Sequence, residues 1–255
     1  KKEYAKYFPG IYIDAKVALR KLQNKDEKKM QEEKKKEQER DEDDTETNYS
    51  YSSTNYSIED YAVLLVPFYD ENQHVQQFFQ KLLQSRDIDV RMDAALLMLR
   101  NGKPVPDSIF DALAAKDKYR GSLYYRLETI GRIDKFPPAF KTQEMLSRAF
   151  LVATGNVEKP DSIVFISKQQ ASLKNETGLV YFYKYKIKKT DDWKIGISGL
   201  QPVDESKISS NDRLTSLTDK KLKDSEPVED QLKLQLKKLL FSFRKSAANF
   251  FDKDD

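Results

Sequence analysis

The spacing of apolar residues changes near Gly155 from helical to alternating, and that change restricts the fold more than any other feature. Before it, apolar residues recur every three or four positions, the period of a helix with one buried stripe. Val75, Phe78, Phe79, Leu82 and Leu83 set this pattern. After it they alternate, the period of a strand, as in Leu179, Tyr181, Tyr183, Tyr185 and Ile187. The reading is a mainly α chain with a small β part (α+β): stacked helices first, then a three-stranded antiparallel sheet covered by a C-terminal helix.

The helical part starts within residues 1–23, where Pro9 and Gly10 precede Ile13, Val17 and Leu22 at helical spacing. The tract 24–56 loses any apolar face. It runs from mixed charge ("NKDEKKMQEEKKKEQERDEDDTE") into "TNYSYSSTNYS", so a solvated helix extension leading into a flexible segment is expected. Order returns at "SIED", a capping hydroxyl three residues before an acid, ahead of Tyr61, Leu64, Leu65 and Phe68. In "DVRMDAALLMLRNG" the run Ala94–Leu99 is apolar on nearly every side, which suits a helix between neighbours, and Gly102 and Pro104 stop it. Shorter helices follow through Ile109, Phe110 and Leu113, and through Tyr119, Leu123, Tyr124, Leu127 and Ile130. A last one, Thr142–Val152, carries Met145, Leu146, Ala149 and Phe150.

Superposing "LLQSRDIDVR" on "ALAAKDKYR" aligns Leu83 with Leu113 and Asp87 with Asp117, with a slip of one position at the arginine. With "DIDVRMDAALLML", this stretch resembles the HEAT family of helical repeats. The resemblance covers about 57–155 and implies antiparallel helix pairs that stack because none buries its stripe alone.

In the β region, 156–203, "DSIVFISKQQ" gives one strand and "GLVYFYKYKIKKTDDWKIGIS" two more around a "TDD" turn. Alternation puts Tyr181, Tyr183 and Tyr185 on one face, expected to be shared with Trp193, Ile195 and Ile197, while Val180, Phe182, Lys184 and Lys186 take the other. Residues 204–226 read as a polar linker. The terminal helix, 227–255, has a stripe of Leu232, Leu236, Leu239, Leu240, Phe243, Ala247 and Phe250, with Lys233, Lys237, Lys238, Arg244 and Lys245 mostly outside it. Its stripe is expected to cover the tyrosine face, since three strands need a helix to be stable. Tyr181, Tyr183, Tyr185 and Trp193 are also the candidate interaction surface, for which a protein or peptide is the expected partner. An RNA-type aromatic platform is disfavoured because most lysines lie opposite the rings.

Chemistry-bearing patterns are sparse. The 45 basic residues nearly balance the 42 acidic ones, so a net charge of +3 gives no general field for polyanions, and no nucleic acid is expected. There is no cysteine and one histidine, His74, in a polar turn that offers no triad. The run Asp41–Asp44 lacks the spacing of a calcium loop, and the eight glycines form no phosphate cradle. No cofactor, metal or transmembrane segment is expected. The opening "KKEYAKYF" has no initiator methionine, which suits a piece of a longer protein.

"YIDAKVALRKLQNKDEKK", "YAVLLVPFYDEN" and "GSLYYRLETIGRIDKFP" resemble the long C-terminal extension of some bacterial TraB/GumN-family proteins. That family's enzymatic part uses paired Gly-x-x-His motifs, absent from this sequence, so no catalytic residue carries over. The resemblance implies a cell-envelope or exported protein in preference to a cytoplasmic one. The expectation is a non-catalytic interaction or scaffold region of a larger bacterial protein. The alternative is an accessory domain of a TraB/GumN-type metal-dependent hydrolase whose active site lies upstream.

Overall fold

The computed structural model describes residues 5–38, 57–153, 160–173, 175–210 and 214–251, with the side chains of 33–38 and 244–251 outside the description. The tract 39–56, with Asp41–Asp44, lies outside the described residues, as do the side chains of Arg244, Lys245, Ala247 and Phe250. Among the described residues there are eight α-helices and one four-stranded antiparallel sheet. The chain divides into two compact units, Lys1–Ile109 and Phe110–Asp255.

The first unit holds α1 (Phe8–Gln38), α2 (Ile58–Leu65), α3 (Gln73–Leu83) and α4 (Ile88–Arg100). Helix α1 packs on α2 and α3, and both of these pack on α4. The capping box read from "SIED" forms: Ser57 Oγ accepts from Asp60 N at 3.2 Å and Asp60 Oδ2 accepts from Ser57 N at 2.8 Å. Asn72 caps α3, its Oδ1 accepting from His74 N at 2.9 Å. Helix α4 buries Val90, Met92, Ala94, Ala95, Leu96, Met98 and Leu99, while Leu97 is half-buried.

The expected apolar stripe of α1 is corrected. Its buried residues are Ala15, Leu19 and Leu22, an i, i+4, i+7 set, whereas Ile13 and Val17 are 61% and 48% exposed. The expected stripe mixed two faces of the helix. Beyond residue 23, where a solvated helix extension is expected, α1 continues to Gln38. The first turns of this charged extension are tied down: Asp26 Oδ2 accepts from Ser85 Oγ at 2.9 Å and Arg86 N at 3.0 Å, and Lys25 pairs with Asp87 at 3.5 Å. One carboxylate thus closes the turn between α3 and α4, a role that depends on hydrogen-bonding reach and needs no apolar face.

Helix α5 (Asp107–Ala114) leads into the second unit, with α6 (Asp117–Thr129), α7 (Gln143–Ala153), β1 (Ser162–Leu173), β2 (Glu176–Lys186), β3 (Lys194–Gln201), β4 (Ser216–Lys221) and α8 (Val228–Phe251). A device seen after α3 recurs after α5. Arg91 Nε donates to Ser85 O at 2.9 Å, and Arg120 Nε donates to Ala114 O at 2.6 Å. In each case an arginine early in one helix turns back on the carbonyl six residues before it, at the end of the preceding helix. Arg120 is buried and also pairs with Asp117 at 2.6 Å, while Arg148 reaches the same carboxylate at 2.8 Å. Desolvation lowers the Arg120 pKa and Asp117 opposes it, so burial of this charge depends on its partner. Helix α7 packs against α6, and Gly121 permits the approach: a Cβ there would lie 3.0 Å from the Phe150 ring.

The sheet order is β1-β2-β3-β4. The expected count of three strands is corrected to four, because β4 lies within 204–226, whose polar composition reads as linker. Its sequence, "SLTDKK", mixes polar and charged residues with one Leu, the composition of an edge strand that pairs on one side only.

The two faces of the sheet bury different sets. Val180, Phe182, Ile195, Ile197, Ala171 and Leu214 form one core with Leu232 and Leu236 of α8. Tyr181, Tyr183, Tyr185 and Ile163 form the other with Leu151 of α7. The expectation that α8 covers the tyrosines together with Ile195 and Ile197 is therefore corrected. Register gives the reason, for Phe182 pairs with Ile197 and Tyr183 with Gly196, and directly opposed residues share a face. Gly196 leaves a gap on the tyrosine side that Leu151 enters, since a Cβ there would lie 2.6 Å from Leu151 Cδ2.

Candidate interaction surface

The tyrosine face is bound to its own chain. Tyr181, Tyr183 and Tyr185 are 2%, 0% and 1% exposed, and every hydroxyl has an acceptor. Tyr181 Oη donates to Gln143 Oε1 at 2.8 Å, Tyr183 Oη to Glu144 O at 2.6 Å and Tyr185 Oη to Thr218 O at 2.7 Å. Gln143, at the start of α7, passes the connection on: its Nε2 donates to Pro202 O at 2.9 Å and Lys207 O at 2.7 Å. This buried amide fastens the loop after β3 to α7. Nothing in the local pattern around "TQEML" marks it, because its partners lie about sixty positions away and only the fold brings them together.

Burial pushes the phenols up, Tyr181 and Tyr185 from 10.0 to about 12 and Tyr183 further still. A folded-state pKa above the unfolded one favours the neutral, folded form. The stability they supply is complete below pH 10, the unfolded value, and is lost as pH rises through about 12. In an alkaline titration these rings are expected to give phenolate absorbance only together with loss of sheet circular dichroism. Three phenols ionising before the sheet opens would contradict their burial.

Trp193, the fourth candidate, is half-buried and stands apart from the tyrosines. The Lys184 and Lys186 ammoniums lie 4.8 and 4.9 Å from its ring centroid, on the Phe182 side of the sheet. The ring is already partnered by cations of its own chain. His74 is exposed on the first turn of α3, with Tyr12 as its ring neighbour at 5.8 Å. Among the described residues no three His, Cys, Asp or Glu side chains gather as a metal-ligand set, and no helix is long and apolar enough to cross a membrane.

An exposed surface of mixed apolar and basic character lies on the outer side of α8. Glu229 and Asp230 in its first turn complement the helix dipole. Gln231, buried, fixes its entry by donating from Nε2 to Lys223 O at 2.8 Å and Glu226 O at 2.9 Å and accepting from Lys223 N at 2.9 Å. Once Leu232 and Leu236 point into the sheet, helical geometry turns Lys233, Leu234, Lys237, Lys238 and Phe241 outward. Leu234 is 48% and Phe241 68% exposed. Positions 234, 237, 238 and 241 form a single strip, so two apolar side chains alternate with lysines along it. A cavity of about 590 Å³ lies along this strip and Gln169 of β1, with no carboxylate among the described residues of its lining. From Gln231 to Phe251 the sequence has no acidic residue, in a chain whose charges otherwise nearly balance. The sequence places these lysines mostly outside the buried stripe, which leaves open what the opposite side displays.

No protein-family model, curated protein or solved structure matches the chain.

Proposed function

We propose that the chain is a non-catalytic interaction region that docks a partner protein on the outer side of α8. The observation that carries this reading is the pairing of exposed Leu234 and Phe241 with Lys233, Lys237 and Lys238 along an open cavity whose described lining holds no carboxylate. Lysines flanking two apolar side chains complement an amphipathic segment whose apolar residues are bordered by Asp or Glu. The sheet beneath α8 serves as its scaffold. The matching return of Arg91 and Arg120 onto the preceding helix ends supports reading α3–α4 and α5–α6 as two HEAT-like repeats.

The probe is a fluorescently labelled helical peptide with Leu and Phe at i, i+4 and i+7 and glutamates on either side. It is expected to bind the full chain with an affinity that falls as salt is added. Lys233→Glu, Lys237→Glu and Lys238→Glu combined should weaken it by about tenfold or more. Equal binding to the charge-reversed protein would overturn the proposal. So would failure to bind the peptide alongside capture by vesicles of phosphatidylserine, which would make the strip a membrane contact.

A further inference from the structure

A second cavity, of about 150 Å³, lies between α1 and α3 in the first unit. Lys16 and Arg20 enter it from successive turns of α1, and His74, Gln77 and Lys81 from one face of α3, with Gln23 beside them. Among the described residues its lining contains no carboxylate. Elsewhere in this unit cations meet acids: Lys25 with Asp87, Lys28 with Glu32, and Lys103 with Asp70. Lys16, Arg20, His74 and Lys81 make no ion pair among the described residues. Asp14 lines a separate cavity between α1 and α2. Asp26 and Glu27 line an adjoining cavity that shares Gln23 and Lys81, and there Asp26 Oδ2 is engaged by Ser85 and Arg86.

The cavity wall is also fixed. The Tyr12 ring stacks on Phe8 at 5.8 Å between centroids, has His74 at the same distance, and carries the Lys16 ammonium at 5.7 Å. The helix terminus is not the source of attraction, since the His74 backbone N–H is already taken by Asn72. What converges is a set of side-chain donors of one sign, a guanidinium fork among them, which suits an oxyanion with several acceptor oxygens. Size narrows the class. Sites for drug-sized ligands run from about 300 Å³ upward, so a cavity of 150 Å³ fits a headgroup and not a chain. We infer that this groove binds a small phosphate-bearing molecule through its phosphoryl oxygens, held by Arg20, Lys16 and Lys81, with His74 and the two glutamines as further donors.

The inference is independent of the α8 surface and is tested with inorganic pyrophosphate on the full chain. Calorimetry should show saturable binding, and amide resonances should shift at residues 16–23 and 74–81. Arg20→Gln and Lys81→Gln should each weaken binding by about tenfold, the loss of one charge-assisted contact, with unchanged thermal unfolding because both residues are exposed. Lys184→Gln, on the sheet, should leave binding as it was. Absence of saturable binding, equal affinity in the Arg20 and Lys81 variants, or shifts confined to Lys233–Lys238 would overturn the inference.

Discussion

Deleting residues 227–255 is expected to unfold the second unit and not merely to trim it. Leu232 and Leu236 are 3% and 5% exposed against Val180, Phe182, Ile195 and Ile197, and Leu239 and Leu240 add to the same cluster. Burying such a side chain is worth roughly 1.5–3 kcal/mol, and a whole domain has only about 5–15 kcal/mol of net stability. The truncated chain should bind hydrophobic dyes, lose sheet circular dichroism and show Trp193 emission typical of solvent. An unchanged unfolding midpoint would mean that α8 is an appendage.

Phe182→Ala carries the second largest effect. The ring is fully buried in the centre of β2, with Ile197 directly opposite and the α8 leucines above. The cavity left behind should cost about 3–5 kcal/mol. Tyr183→Phe, one residue along on the other face, should cost less, about 1–3 kcal/mol, for a Glu144 carbonyl left without its donor. Chemical denaturation of the two variants separates the faces. Similar losses would show that Phe182 is not the centre of the core.

What sequence reading could reach follows from how locally each feature is determined. The change of period near Gly155 and the capping box at Ser57 and Asp60 depend on neighbours within one turn or one strand, and both are present in the structure. The strand β4 escaped notice because an edge strand is exposed along one side and can be built from Ser, Thr, Asp and Lys. Face assignment failed for a different reason. On β2 the residues Val180, Tyr181, Phe182 and Tyr183 are all buried, because α8 covers one face and α7 the other. In a strand covered on both sides, alternation no longer distinguishes inside from outside. Only the register, with Gly196 opposite Tyr183 and Ile197 opposite Phe182, settles which residues travel together.

The same limit applies to the candidate surface. Tyr181, Tyr183 and Tyr185 attracted attention as a row of rings, yet their hydroxyls are spent on Gln143, Glu144 and Thr218. Leu234 and Phe241 went unremarked because they interrupt a lysine face and contribute nothing to the buried stripe. Their exposure becomes informative only after Leu232 and Leu236 have fixed how the helix is turned. A polar amide such as Gln143 is visible only in three dimensions, since each of its partners comes from a different part of the chain.

The measurement that most directly tests the two-sided role of α8 compares Leu236→Ala with Phe241→Ala for thermal stability and for binding of the acidic helical peptide. Leu236→Ala should lower the unfolding midpoint by several degrees, in keeping with a loss of about 2–5 kcal/mol. Phe241→Ala should leave the midpoint within about a degree, as a surface substitution does, and weaken peptide binding by about tenfold. If Phe241→Ala destabilises the protein as much as Leu236→Ala, or leaves peptide binding intact, α8 does not present its outer side to a partner.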